Sequence, residues 1–301
     1  MTSSLLIVGS GAMANLFAGR LVASGVKVTV LGTWEEGLQG LRAHGVRIIS
    51  SDNKEDKYPV RVVDNPSDCR GTKYALVLVK SWQTPRAAEQ LAGCLQTDGL
   101  ALTLQNGFNN RQTLTNVLGA QRVALGVTTS GATLVKPGLV RQVGDDVVSL
   151  GVHSRLKPLA DMLRKAGFVV DIVTDTSALL WGKLVINTAI NPLTALLRVP
   201  NGELLSRPTA RNLLGITARE TAAVAVARGV RLPYPDPVVA VETIARRTAE
   251  NYSSMLRDVL RGAPTEIDSI NGAIVKAGEE TKVPTPVNRT LWQLVKALGK
   301  S

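Results

Sequence analysis

Two features of the 301-residue chain predict an α/β fold in which a parallel-sheet domain is followed by an all-α domain. Over the first half, short runs rich in β-branched residues alternate with helical patterns, the signature of βαβ units. From about Asp175 the chain turns rich in Ala, Leu, Arg and Glu, sets Pro192, Pro200, Pro208 and Pro264 at helix edges, and shows no further strand alternation. The boundary therefore falls near residues 172–176, giving a first domain over 1–173 and a second over 174–301. Strands are expected at 5–8, 26–31, 74–79, 100–104, 123–127 and 147–151, each bounded by turn residues. No repeat, low-complexity segment or flexible linker separates the halves, so close packing with a ligand cleft between them is the expectation.

Composition excludes several classes. Hydrophobic residues at 45 % and charged residues at 20 % are globular values, which rules out disorder and fibrous repeats. Cys69 and Cys94 are the two cysteines; with no CxxC and no nearby histidine pair they form neither a disulfide scaffold nor a zinc ribbon, and no metal site is expected. The first apolar run is too short for a signal-peptide core and no stretch approaches 18 uninterrupted apolar residues. The expectation is a cytoplasmic protein without membrane association. The net charge of +11 is spread almost evenly, +6 before residue 174 and +5 after, and aromatics make up 4 % of the chain. Nucleic-acid binding is therefore not expected, whereas a diffuse positive field suits a small polyanionic ligand.

Directly after the first strand stands Gly9-Ser10-Gly11-Ala12-Met13-Ala14, a G-x-G-x-x-A that opens a helix ending near Gly25 and followed at once by a second strand. In that context Gly9 allows the tight turn, Gly11 lets the backbone approach a pyrophosphate, and Ala14 keeps helix and sheet close, while the helix N-terminus offers free N–H groups. The first domain is thus expected to be a Rossmann-type dinucleotide-binding domain. After the second strand the chain reads Leu31-Gly32-Thr33-Trp34, with no acid to meet ribose hydroxyls although Glu35 and Glu36 follow, which tilts the cofactor toward NADP. Lys80 and Gln83 fall at the C-terminal edge of the third strand, where they could meet a phosphate or ribose as readily as solvent.

Reducing a carbonyl by hydride requires a proton donor, and His44 and His153 lie in edge or loop contexts. The helical segment 181–191 offers a better one. Lys183, Asn187 and Asn191 are spaced i, i+4, i+8 and share one face of an otherwise apolar helix, which Pro192 is expected to break. Burial there would disfavour the ammonium and ease proton donation. Thr265-x-x-Asp268 after Pro264 reads as a capping box with Glu266 in the first helical turn, and Asn251, Ser254 and Asp258 fall on one helical face, which by pattern alone is a solvated one.

These pieces in this order resemble the ketopantoate reductase family over the whole length. The resemblance is carried by the glycine turn, by Lys80-Ser81-Trp82-Gln83, Gln105-Asn106-Gly107, Trp181-Gly182-Lys183, Asn191-Pro192-Leu193-Thr194-Ala195 and Pro200-Asn201-Gly202-Glu203-Leu204. Its most specific parts are Asn251-Tyr252-Ser253-Ser254-Met255-Leu256 and Thr265-Glu266-Ile267-Asp268-Ser269-Ile270-Asn271-Gly272. The resemblance implies NADPH-dependent reduction of 2-dehydropantoate, a small 2-oxo acid, to pantoate on the way to pantothenate and coenzyme A. It implies Lys183 as general acid and Glu266 as its partner carboxylate near substrate and nicotinamide. Asn187 and Asn191 are similar to residues that bind the substrate's hydroxyl end, and Ser254 and Asn251 to binders of its carboxylate. Asn106 resembles a cofactor and active-site contact, and Ala132 a residue whose backbone meets the nicotinamide amide. In one respect the chain departs from the pattern: Thr33 stands where the family commonly carries an arginine against the 2′-phosphate.

Two further readings stay open at this level: reduction of a different 2-oxo or 3-oxo acid on the same scaffold, or a cofactor-binding sensor without turnover. The second is opposed by the presence of Lys183, Glu266 and Ser254, which a sensor would not need. The C-terminal segment 284–298 reads equally as cover for the core or for a homodimer partner.

Overall fold

The computed structural model of the protein describes residues 4–50 and 52–299. Two compact units emerge: one runs through Gln105 and resumes over Asn109–Thr176, the other comprises Asn106–Phe108 and the chain from Ser177 onward. In the first unit the strands are β1 (Ser4–Val8), β2 (Lys27–Leu31), β3 (Val46–Ile49), β4 (Glu55–Tyr58), β5 (Arg61–Val63), β6 (Thr72–Val77), β7 (Leu95–Thr103), β8 (Val123–Lys136), β9 (Leu139–Gly151) and β10 (Val169–Val173). Its helices are α1 (Ala12–Ala23), α2 (Glu35–His44), α3 (Thr84–Cys94), α4 (Asn110–Leu118) and α5 (Lys157–Lys165).

The strands form one sheet in the order β4-β3-β9-β8-β7-β6-β1-β2-β5, with β10 beside β9. From β5 to β8 all neighbours are parallel. Burial on both faces explains why residues 5–8 of β1 are all apolar. Leu5 and Ile7 pack with Leu16, Phe17 and Leu21 of α1 on one face, while Leu6 and Val8 pack with Ala87, Ala88 and Leu91 of α3 on the other. A central parallel strand covered by helices on both faces is the Rossmann-type arrangement expected above.

The six expected strands are present, and four more accompany them. β8 and β9 extend well beyond 123–127 and 147–151 into a long antiparallel hairpin whose register runs from Gly126↔Leu150 to Lys136↔Leu139. The added stretch has Ser130, Gly131 and Gly144 at its centre, which interrupt the β-branched residues on either side, and is held in sheet by its partner strand. β3, β4 and β5 have four residues or fewer, too short for alternation to declare itself, and β10 lies beside β9.

In the second unit the helices are α6 (Thr176–Leu197), α7 (Glu203–Ser206), α8 (Pro208–Ala227), α9 (Pro237–Arg247), α10 (Ser254–Leu260), α11 (Ala273–Thr281) and α12 (Pro286–Leu298), α6 beginning one residue before the division. Among the described residues no helix is long and apolar enough to cross a membrane. Helix α6 is apolar nearly all round because it is packed on two sides. Val185, Ala189 and Leu193 meet Leu214, Ala218 and Val241, whereas Trp181 and Leu184 meet Met255, Ile270 and Ile274. Leu291 and Val295 of α12 join these same two cores, so the C-terminal segment covers its own unit.

Pro192 does not end α6, contrary to the expectation from sequence; the helix continues for five residues beyond it. Proline has no N–H to give the carbonyl four residues earlier, which here is that of Thr188. Asn271 supplies the missing donor: its Nδ2 lies 3.0 Å from the Thr188 oxygen and also 3.0 Å from Oδ1 of Asn288. Asn288 in turn donates Nδ2 to Glu220 at 2.9 Å, and the same carboxylate accepts the backbone N–H groups of Val287 and Asn288 at the start of α12. A defect in one helix is thus repaired through a fully buried asparagine and linked to the cap of another. Replacing Asn271 by leucine would leave the Thr188 carbonyl buried without a donor, a loss of about 1–3 kcal/mol. The urea midpoint of Asn271→Leu should fall accordingly; a midpoint equal to the parent's would contradict this role.

Candidate functional site

The turn between β1 and α1 distinguishes what the protein needs from what a ligand needs. Gly9 has φ +124°, and a Cβ there would lie 2.9 Å from the Leu78 carbonyl oxygen, so the fold itself requires glycine. Gly11 is different. Its φ of −80° suits any residue, and a Cβ added to it would meet nothing within 4 Å. The open space above Gly11 is where a ligand's backbone approach would be blocked by a side chain. No side chain caps α1 and no acid occupies its first turn, which leaves the positive helix end for an anion. Ser10 and Ala14 are buried, Ala12 and Met13 partly so. Asn15, which sequence reading passed over, donates Nδ2 to the carbonyls of Ser10 and Gly11 at 2.9 and 2.8 Å and fixes the loop. The turn fits the pyrophosphate of a dinucleotide.

At the C-terminal end of β2, Thr33 is exposed and its Oγ1 accepts a hydrogen bond of 3.1 Å from Nη1 of Arg86, in the first turn of α3. Lys80 precedes a short 3-10 turn, Ser81–Gln83, in which the Lys80 N–H donates to Oε1 of Gln83 at 3.2 Å. One face of the Gln83 amide is therefore committed to the local turn. Ala132 sits on β8, paired with Gln142 of β9.

The second unit gathers the residues with acid–base chemistry. Lys183, Asn187 and Asn191 all lie on α6, Lys183 and Asn187 partly exposed and Asn191 buried. Burial among apolar neighbours lowers the Lys183 pKa to about 8, and the charge of Glu266 opposes that shift. Glu266 is itself buried, 7 % exposed.

The local setting of Glu266 differs from the capping box read in the sequence. Glu266 lies in a bend before a turn of π-helix, Asp268–Gly272, and not in the first turn of an α-helix. Asp268 is drawn away by the indole N–H of Trp292 at 2.6 Å, and Thr265 Oγ1 is only at the limit of hydrogen-bond distance, 3.5 Å, from the Ile267 N–H. The π-turn is anchored by Asn271, the residue that repairs α6, so the helix of Lys183 and the segment of Glu266 share one buried hydrogen bond.

The loop Asn106-Gly107-Phe108 belongs to this same unit. Gly107, at φ +87°, passes so near Ser269 that a Cβ would sit 2.8 Å from its hydroxyl, and the Phe108 N–H donates to the Ser269 carbonyl at 2.9 Å. The Phe108 ring packs on Trp181 at 5.1 Å. Asn106 is thereby held next to the segment that follows Glu266.

The single helical face expected for Asn251, Ser254 and Asp258 does not form. Asn251 precedes α10, Ser254 is its exposed first residue, and Asp258 is buried and bonded to Arg261 at 2.9 Å. Ser253 caps the helix through the Leu256 N–H and accepts 2.7 Å from Thr194 Oγ1, tying α10 to α6.

A glycine turn of this kind in one unit, and a buried lysine and carboxylate in the other, are the parts of a dinucleotide-dependent oxidoreductase. A family model described as ketopantoate reductase PanE/ApbA matches residues 5–155, and one for the C-terminal part of the same proteins matches residues 175–299. The chain belongs to the ketopantoate reductase family. It is 36 % identical to the 2-dehydropantoate 2-reductase of Archaeoglobus fulgidus, covering 97 % of this chain and 96 % of that one. A crystal structure of a PanE/ApbA family ketopantoate reductase from Ralstonia eutropha superposes with TM-score 0.91 at 32 % identity over 98 % of both chains. D-mandelate dehydrogenase in ternary complex with NADH and anilino(oxo)acetate has the same TM-score at 27 % identity, again over 98 % of both.

The glycine turn yields a paired prediction. Gly11→Ala should leave the melting temperature unchanged and weaken dinucleotide binding about tenfold or more, through lost charge-assisted contacts. Gly9→Ala should instead lower the melting temperature, since its clash is with the protein's own backbone. Calorimetric unfolding and NADPH fluorescence titration separate the two; strong destabilisation by Gly11→Ala would refute the assignment of that space to a ligand.

Proposed function

We propose that this chain catalyses the NADPH-dependent reduction of 2-dehydropantoate to pantoate, and that Lys183 is its general acid. The observation that carries the reading is the meeting, in one unit, of Lys183 on the apolar helix α6 with the buried carboxylate of Glu266; burial brings the lysine's pKa down to about 8 and the charge of Glu266 opposes that shift. A donor with that pKa is substantially charged at neutral pH yet gives up its proton readily. When bound, the nicotinamide supplies the hydride to the carbonyl carbon. Lys183 Nζ delivers a proton to the carbonyl oxygen as negative charge develops there, leaving the hydroxyl of the product and a neutral amine that regains a proton from solvent. Glu266 holds the ammonium in place and in its charged form. Asn187 and Asn191, one and two helical turns on, bind the hydroxyl end of the substrate, while Ser254 and Asn251 take its carboxylate. Cofactor contacts fall to the 9–14 turn, Thr33, Lys80, Gln83, Asn106, Ala132 and Glu266. Placing substrate and acid together at fixed geometry is the main contribution.

The likeness to D-mandelate dehydrogenase favours a second reading, reduction of a 2-oxo acid with a larger side chain. A panel of 2-oxo acids with NADPH separates the two: the highest kcat/KM for 2-dehydropantoate supports the first, and preference for an aryl 2-oxo acid the second. Buried, unpaired Cys69 and Cys94 suit a reducing cytoplasm, where we place the enzyme. We propose a homodimer as an arrangement to be tested by light scattering.

Because reduction needs the ammonium, its rate should be level below about pH 8 and fall as pH rises through the Lys183 pKa. Lys183→Ala should lower kcat by about 10²–10⁴ with little change in NADPH binding. Lys183→Arg should be nearly as impaired, since arginine keeps the charge but retains its proton. An arginine variant within a few-fold of the parent would sink the general-acid assignment while leaving the reductase reading intact. Ser254→Ala and Asn187→Ala should raise KM for 2-dehydropantoate far more than for NADPH, roughly ten- to a hundredfold for the serine that meets the carboxylate. Unchanged substrate kinetics in both would move the binding site elsewhere.

A further inference from the structure

Thr33 poses a problem, because nothing cationic stands at the end of β2 in the sequence although the cofactor read above bears a 2′-phosphate. The fold supplies a cation from elsewhere. We propose that Arg86, on α3, binds the 2′-phosphate of NADPH together with the Thr33 hydroxyl and sets the choice of NADPH over NADH. This inference rests on the NADPH reading and names the residue responsible for it.

β1 lies between β2 and β6, and α3 follows β6, so an arginine on α3 that touches Thr33 spans the C-terminal edge of the sheet across the end of β1. That crossing is the switch point where the adenosine half of a dinucleotide lies, with its ribose at the end of the second strand.

Helix α3 itself gains nothing from Arg86. A cation in the first turn of a helix is opposed by the helix dipole, so its place there does not stabilise α3. Some surface arginines are matched to carboxylates, Arg42 to Asp64 at 2.6 Å and Arg211 to both oxygens of Glu242 at 2.6 and 2.7 Å, and such a match would hold a side chain away from a ligand. Among the described residues Arg86 has no carboxylate within ion-pair distance; the partner it meets is a neutral hydroxyl at 3.1 Å, and its side chain is exposed. A guanidinium held at one N–H keeps the others for a phosphate.

The nearest acid of α2 is engaged within its own helix. Glu35 would be the natural partner of an NADH ribose, yet its Oε1 accepts from Gln39 Nε2 at 3.0 Å and lies 3.8 Å from Arg42. It is turned to its own helix and partly neutralised, which lowers its repulsion of a phosphate.

The test uses the full-length protein and two fragments of the cofactor, 2′,5′-ADP and 5′-ADP, titrated calorimetrically without substrate. The parent should bind 2′,5′-ADP at least about tenfold more tightly than 5′-ADP, as expected for a charge-assisted contact. Arg86→Ala and Arg86→Gln should weaken 2′,5′-ADP about ten- to a hundredfold while 5′-ADP stays within about twofold, which also reports that the variants are folded. Equal weakening of both ligands would mean that Arg86 stacks on the adenine, and would overturn the proposal. A preference preserved in both variants would overturn it too while leaving the NADPH reading untouched. A parent that does not distinguish the two ligands would remove the NADPH reading itself and this inference with it.

Discussion

An ammonium group set into an apolar helix is the constraint around which the second unit is organised. Water would stabilise that charge far better than the surroundings of Lys183 do, which pulls its pKa down to about 8. Glu266 offsets part of the cost and works only if its segment is fixed relative to α6. The fixing element is uncharged: a proline inside α6 strands the Thr188 carbonyl, and Asn271 of the π-turn after Glu266 bonds it. The irregular elements, an internal proline and a turn of π-helix, are therefore two ends of one contact. The lowered pKa also bears on stability. Between about pH 8 and the unfolded lysine's 10.5 the unfolded chain binds more protons than the folded one, so this residue makes stability rise with pH in that window, and its cost is fully present below it.

The first unit solves a different problem with backbone in place of side chains. Its glycine turn leaves space and free dipole where a pyrophosphate would sit, and the strand ends beside it present Thr33, Lys80 and Gln83. Selectivity within such a scaffold depends on a few side chains at the strand edges. That is consistent with a single fold in which one relative is a 2-dehydropantoate reductase and another is a mandelate dehydrogenase holding NADH.

What could be read from sequence was local. The G-x-G-x-x-A turn combines adjacent residues, and the Lys183, Asn187 and Asn191 stripe follows from helical period alone. What escaped were pairings over long sequence separations. Pro192 looked like a terminator because its repair comes from Asn271, 83 residues beyond Thr188. Thr33 looked like a missing cation because Arg86 is 53 residues away. Thr265-x-x-Asp268 has the right spacing for a capping box, but Trp292 competes successfully for the aspartate. The β8–β9 hairpin escaped because its middle is glycine and hydroxyl residues, which become strand only by pairing.

The depressed pKa of Lys183, held up by Glu266, can be measured without turnover. Titrating the Lys183 side-chain NMR signal, assigned with Lys183→Arg in lysine-labelled protein, should give a midpoint near 8 in the parent. In Glu266→Gln the midpoint should fall further, because desolvation then acts unopposed. A parent midpoint near the ordinary lysine value of about 10.4, or one that Glu266→Gln leaves in place, would contradict the account.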